Sequence, residues 1–348
     1  MPRYALLLAL GLALSATVAA HPLATPYRLT ADVAPGERYM GIRLLGTLEL
    51  ATRMIDGLPL VELSGLAWDA DEGLLYAVSD RGWLFHLRPT FSDGRLRDVS
   101  VVAAFALRDS RGRKLRGKYT DSEDLAPLNA RNGIRGDTRL AVSFERRPRI
   151  VIYRPDGRFI RKRVLPVPLA DRHAYASPNK ALESVAVVPG VGMVTGPERP
   201  MRRDPANQVT LYALDGRRWR YPLRRAPDDS LVALEGLPDG TLIALERAHG
   251  SFLMLPVIIS LREIPPLTRS NTRLSPRTVA VLSTSRGWSV DNFEGLAWHE
   301  GRRFFMVSDD NARRVQRTLL VYFEILPGNR DFEKNALQEF EPVQENGH

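Results

Sequence analysis

A short phrase recurs five times along the chain, and no other feature of the sequence restricts the fold as much. Its copies are "LSGLAW" with Ser64, "DSEDLAPL" with Glu123, "ALESVAVV" with Glu183, "ALEGLP" with Glu235 and "NFEGLAW" with Glu294, at separations of 59, 60, 52 and 59 residues. Each copy is followed by a second β-prone stretch that ends in an acid, often with arginine beside it. These endings are "SDR" (Asp80, Arg81), "FER" (Glu145, Arg146), "PER" (Glu198, Arg199), "LER" (Glu246, Arg247) and "SDD" (Asp309, Asp310). A period of about 57 residues holds four strands and their turns, which is one blade of a β-propeller.

The rest of the chain agrees with an all-β reading. Runs of four to eight β-prone residues such as "LLYAVSD", "TRLAVSFE", "RIVIYRPDG" and "QVTLYALDG" are punctuated by "PDG", "LDG" and "SDG" turns, and long helical periodicities are missing. The last copy has no convincing fourth strand of its own. The stretch "YMGIRLLGTLEL" (39–50) lies before the first copy and is expected to supply it. Such closure removes the open sheet edges that invite aggregation. The expected fold is a single propeller over 39–328, with five blades by repeat count. Six stay open because 106–120 and 262–277 are long enough to hold further strands.

The N-terminus reads as an address rather than as structure. "MPRYALLLALGLALSATVAAHP" has one early positive charge, Arg3, then an apolar run, then small residues at Val18 and Ala20. This is the layout of a secretory signal over 1–20, cleaved after Ala20. The run is too short for a membrane span. Export to the periplasm or medium is expected, without stable membrane insertion after processing, and as a monomer. The chain has no Cys, so disulfides, thiolate metal sites and a Cys nucleophile are excluded. Residues 329–348 read as a polar tail. Without Arg3 the balance is 48 Lys+Arg against 40 Asp+Glu, a net of +8, and arginine forks suit phosphate or carboxylate ligands. The basic run Arg111, Arg113, Lys114, Arg116 and Lys118 lacks interleaved aromatics, so no nucleic-acid partner is expected.

In a propeller the first strand of each blade lines the central channel. Glu123, Glu183, Glu235 and Glu294 are therefore expected at one depth, with Ser64 completing the ring uncharged. Asp80, Glu145, Glu198, Glu246 and Asp309 are expected near a mouth, beside Arg81, Arg146, Arg199 and Arg247. Converging carboxylates need cations. Either the arginines stitch blades together, or the ring holds a hard cation such as Ca²⁺, which takes six to eight oxygen ligands. The candidate ligands are Glu123, Asn179, Glu183, Glu294 and Asp309. Asn179 and Asn292 precede Glu183 and Glu294 and add neutral oxygens.

At these phrases the chain resembles the phytase-like family, described as having esterase-like activity. The likeness rests on "LSGLAW", "DSEDLA", "NKALESVAV" and "NFEGLAW" and on the endings "VSDRG", "SFERRPRI" and "VSDDN", across roughly residues 40–326. Members are similar to propeller phytases, exported enzymes in which calcium ions bridge acidic side chains and phosphate groups. The resemblance implies ester hydrolysis of a small anionic substrate assisted by Ca²⁺. The resemblance transfers no role residue by residue; the repeated carboxylate–arginine pairs themselves are the ground for expecting Glu123, Glu183, Glu235 and Glu294 to hold the metal or orient water, and Arg81, Arg146, Arg199 and Arg247 to clamp the substrate. Two departures stand out: Ser64 where the repeat expects an acid, and the compressed fourth repeat.

Other chemistries find less support. No G-x-S-x-G elbow exists, and Ser64 has no evident base, so it reads as a small filler. The six histidines show no H-x-x-x-H pair for zinc. Trp68 and Trp298, each four residues after a repeat position, read as packing between blades. A non-enzymatic binding scaffold remains the main alternative and predicts that the inner acids and arginines pair off. A sugar-acid lactonase built on Asn179, Glu183 and Glu294 is a lesser one.

Overall fold

The computed structural model describes residues 22–328 apart from 178, 226–227, 253–254 and 314. The expected signal (1–20) and polar tail (329–348) lie outside the described residues. Blade 1 consists of Leu63–Asp69, Leu74–Ser79, Trp83–Ser92 and Arg95–Ala106, each antiparallel to the next. Blade 2 consists of Ser122–Leu128, Arg139–Phe144, Arg149–Tyr153 and Phe159–Lys162. Blade 3 consists of Leu182–Val188, Gly192–Pro197, Gln208–Ala213 and Arg218–Pro222. Blade 4 is Ser230–Gly236, Leu242–Phe252, Leu255–Ile264 and Arg277–Ser283. Blade 5 takes Asn292–Glu300, Arg303–Asp309 and Thr318–Ile325 from the end of the chain and Ile42–Leu50 from its beginning. Among the described residues, no helix is long and apolar enough to cross a membrane.

The five first strands touch one another in a closed circle, each against its neighbours in chain order and the last against the first. The molecule is therefore a five-bladed β-propeller. The two long segments do not make a sixth blade. Residues 106–120 hold a short 3₁₀ turn, Gly117–Tyr119, and the other segment ends one strand of blade 4 and begins the next. Closure follows the expectation: Leu48 sits opposite Leu320 and Leu44 opposite Phe323, and Ala24–Pro26 adds an outer strand to the same sheet.

Why these strands stack is visible in their two faces. Side chains alternate across a strand, and in "LLYAVS" both sets are buried. Leu75 and Ala77 pack with Phe305, Val307 and Leu320 of blade 5. Leu74, Tyr76 and Val78 pack instead with Val142, Phe144 and Tyr153 of blade 2. The perimeter strand Arg95–Ala106 is mixed buried and exposed, as a strand with one wet face should be.

The inner strands approach so closely that Gly65 has no room for a methyl group. A Cβ there would stand 2.6 Å from Asp124 Cα and 2.8 Å from Glu123 O, both backbone atoms of the next blade. Gly65→Ala is expected to destabilise the fold by about 1–3 kcal/mol, since overpacking against backbone cannot relax by rotamer change. Urea unfolding of the variant measures this, and an unchanged midpoint would contradict the packing.

Candidate functional site: an acidic ring at one channel mouth

Strand register decides which side chains reach the channel. In every blade the pairing of the first and second strands skips near the start of the first strand. The skipped residues are Ser64, the pair Glu123–Asp124, Glu183, Val232 and Glu294. A bulge turns its extra residue out of the ladder and re-aims its side chain. Just beyond the paired residue on the second strand come Asp80, Glu145, Glu198, Arg247 and Asp309. Equivalent positions thus form two tiers at one end, and blade 4 places Val232 and Arg247 where other blades place a small or acidic residue and an acid.

This corrects the reading of the fourth repeat. Glu235 is three residues past the bulge, paired with Ile243 near the far end of its strand, and does not join the other three glutamates. It is drawn toward Arg131 and the Trp298 backbone instead, and burial pushes it up to about 8. Glu246 is one residue out of step with Arg247. With a side-chain period of two it points away from the channel, where Tyr221 Oη donates to it at 2.5 Å and Arg262 at 3.2 Å. The sequence match of "ALEG" to "FEGL" obscured this offset.

The remaining acids crowd one mouth. Asp121, Glu123 and Glu145 each bring an oxygen within 4.8 Å of the others, and so do Glu145, Glu183 and Glu198. Glu145 belongs to both groups. Burial, and then the Asp80, Glu183 and Glu145 carboxylates, push Glu123 well above the usual range. Burial followed by Glu198, Glu145 and Glu294 does the same to Glu183, against the pull of Arg247. Burial with Asp309 and Glu294 raises Asp80 well above its usual range. Glu145 is raised to about 8 by burial, Glu198 and Asp121, and Asp309 to about 8 by burial and Glu294. Like charges brought together out of water produce this pattern.

Positive charge at the mouth is scarce. Arg247 is buried, bonds Glu294 and approaches Glu198 at 3.6 Å. Burial opposes its charge, yet Glu294, Glu198 and Glu183 hold it above its ordinary range. Lys180 Nζ meets Glu198 at 2.8 Å and Arg146 Nε meets Asp121 at 3.1 Å, both from partly exposed positions. Arg81 is exposed and bonded to Glu62, and Arg199 is half-buried next to Glu198. Among the described residues the inner acids and arginines are therefore not matched one to one, since Arg247 lies against both Glu294 and Glu198. Two buried carboxylate oxygens, Asp80 Oδ1 and Glu183 Oε2, have no hydrogen-bond partner among the described residues.

The structure also places the other residues that the sequence singled out, and Asp124, which it did not. Asn292 Nδ2 donates to Glu294 Oε1 at 2.9 Å and reaches Asp309 Oδ2 at 3.5 Å, so it orients two ring acids. Asn179 is exposed, and its backbone N–H donates to Ser177 Oγ at 3.2 Å. Asp124, fully buried, accepts from Leu125 N at 2.9 Å and Val185 N at 3.0 Å and also bonds the backbone of Leu234. It links blades 2, 3 and 4 across the channel beneath the ring. The consecutive acids in "SEDL" were its only signal. Ser64 Oγ donates to Ser122 O at 2.7 Å, as a filler would. Trp68 packs 4.6 Å edge-on to His299, and Trp298 carries Arg131 on its face at 3.8 Å.

These features define the class: a five-bladed propeller with an oxygen-rich, cation-poor ring at one mouth. The chain belongs to the phytase-like family, described as "esterase-like activity of phytase", whose match covers residues 59–312. That membership suggests hydrolase-type activity. Among solved structures, the chain is similar to the Dos1 propeller, with 10% identity, a TM-score of 0.33, and coverage of 81% of this chain and 74% of that one. It is similar also to the Cps50 (Swd1) β-propeller domain of Myceliophteria thermophila, with 10% identity, a TM-score of 0.38, and coverage of 82% and 91%. Neither likeness carries an argument about this chain. No curated protein matches it.

Proposed function

We propose that the protein is an exported hydrolase of small anionic esters, phosphate esters foremost, working at the acidic ring with calcium held there. The supporting observation is the pair of three-acid groups that share Glu145, next to the buried oxygens Asp80 Oδ1 and Glu183 Oε2, which have no hydrogen-bond partner among the described residues. The donors are all oxygens, which suits Ca²⁺ and not a soft metal. A bound hard cation supplies charge for the ester oxyanion and acidifies water.

The chain's own residues do the rest. Glu123, Glu145, Glu183 and Glu198 would hold the cation, with Asp121 at the rim. Asn292 keeps Glu294 and Asp309 in place, so that Asp309 is poised to take a proton from the attacking water. Arg247 is committed to Glu294 and Glu198 and compensates charge within the ring. Arg146, half-exposed at the lip, receives the anionic part of the substrate.

Purified protein assayed with phosphomonoesters, phosphodiesters and acyl esters is expected to turn over at least one class, and to lose that activity to a chelator. Glu123→Gln and Glu183→Gln are each expected to lower kcat by about two orders of magnitude, the scale of losing a charge-stabilising group. Glu235→Gln, remote from the ring, should leave it within about twofold, because it removes nothing that reacts. Turnover indifferent to both chelator and the two ring substitutions would refute the assignment. Export is checked by fractionating cells and sequencing the N-terminus of the processed chain, expected to start at His21.

A further inference from the structure

The segment from Asp109 to Tyr119 folds back over the third and fourth strands of blade 2 and encloses a cleft of about 840 Å³. Arg149, Val151 and Tyr153 alternate along their strand and share the face that lines it. Phe159 continues the aromatic wall, and Lys114, Arg116 and Lys162 stand around it. Apolar floor and cationic rim are thus built from three separate pieces of chain.

Arg149 is the unusual member. It is buried, with its guanidinium 3.6 Å over the Phe144 ring. Its hydrogen bonds go to carbonyl oxygens, Arg147 O at 3.0 Å and Tyr119 O at 2.6 Å, and not to a carboxylate. Its charge feels Asp121, but that acid is already paired with Arg146 at 3.1 Å. Arg113 is matched by Asp109 at 2.8 Å, and Lys114, Arg116 and Lys162 make no ion pair among the described residues. A buried arginine cannot shed its proton, and a charge taken out of water needs a counter-charge. The cleft therefore carries a surplus of about four positive charges, more than a single carboxylate matches and well suited to a phosphate dianion.

We propose that this cleft binds a phosphorylated aromatic small molecule, its ring lying along Tyr153, Phe159 and Tyr119 and its phosphate held by Lys114, Arg116 and Lys162 near Arg149. The volume falls in the range that encloses such a ligand. Tyr and Phe faces favour an aromatic ring over an aliphatic chain of the same size. No lining residue belongs to the acidic ring, so the inference stands whether or not that ring is catalytic.

The test is calorimetric titration of the mature chain with phenyl phosphate in metal-free buffer, which keeps the acidic ring from taking up the anion. Saturable one-site binding is expected, with inorganic phosphate about tenfold weaker for want of the ring contacts. The double change Lys114→Glu with Arg116→Glu, and separately Lys162→Glu from the opposite wall, should each weaken phenyl phosphate by about tenfold or more. Lys118→Glu makes the same charge change as Lys162→Glu, on the exposed loop but outside the lining, and should move affinity by less than about twofold, since screening weakens contacts at that range. Each variant is first matched to the parent in its thermal midpoint. No binding, equal weakening by Lys118→Glu, or inorganic phosphate binding as tightly as phenyl phosphate would each overturn the proposal.

Discussion

Millimolar calcium is expected to raise the thermal midpoint of the protein strongly at pH 8 and hardly at all at pH 5. The sign follows from the ring. Glu145 and Asp309 are held at about 8 in the folded chain without a cation, whereas an unfolded carboxyl titrates near 4. Between those values the folded state binds more protons than the unfolded one, so stability falls as pH rises from about 5 to about 8. Above that the fold carries the full repulsion. Each unit of upward shift corresponds to about 1.4 kcal/mol, so the metal-free midpoint should fall by several degrees over this interval. A cation that binds only the folded, ionised ring restores about 2.7 kcal/mol at a hundredfold excess over its Kd. At pH 5 protons occupy the same oxygens and the metal finds few ligands. Differential scanning calorimetry at both pH values, with calcium and with chelator, measures all four states. A calcium effect equal at pH 5 and pH 8 would place the ion elsewhere, and no effect at pH 8 would remove the metal centre.

Arg247→Met is expected to cost about 3–5 kcal/mol in metal-free protein at pH 8, the typical loss when one partner of a buried ion pair is removed. Arg247 is the buried cation that Glu294, Glu198 and Glu183 share. Its removal leaves these acids facing each other across a dry mouth, and methionine refills the volume without the charge. Much of the loss should return at pH 5, where protonation relieves the repulsion. Arg146→Met serves as the contrast. Its ion pair with Asp121 is half-exposed, and exposed pairs contribute about 0–1 kcal/mol. Urea unfolding of both variants decides the matter. If Arg247→Met unfolds like the parent at pH 8, the acids do not interact as described and the ring is only an arrangement of independent groups.

Much of the architecture was legible because a propeller asks each blade for the same things. A buried inner strand, a turn and a second buried strand recur at a fixed period, and hydrophobic alternation shows where each begins. The strand at Ile42–Leu50 was recognisable as the missing partner of the last blade, since the final repeat visibly lacked one. The acids were legible as letters but not all as places. Glu123, Glu183 and Glu294 reach the mouth, while Glu235 and Glu246 imitate them in the alphabet and miss by three residues and by one. A bulge costs one residue of register and leaves no clear mark in the sequence. Asp124 and Asn292 show the converse. Asp124 was not singled out by its spacing, yet it bonds across to the next blades, and Asn292, expected to lend a neutral oxygen, instead donates its amide N–H to two ring acids.

The cleft over blade 2 belongs to the same lesson. Its basic run lacked interleaved aromatics in the sequence because, apart from Tyr119 at its end, the aromatics of the cleft, Tyr153 and Phe159, come from strands some thirty to fifty residues further along.

By itself, then, the amino-acid order determined a closed circle of blades and the supply of carboxylates to its axis, because both repeat at the period of the folding unit. Only the tertiary structure decided which of those carboxylates meet, that one blade contributes an arginine in place of an acid, and where the surplus positive charge collects. Contacts among residues from different blades depend on strand register and on bulges, and a side chain that moves by one position in a strand changes the face it serves.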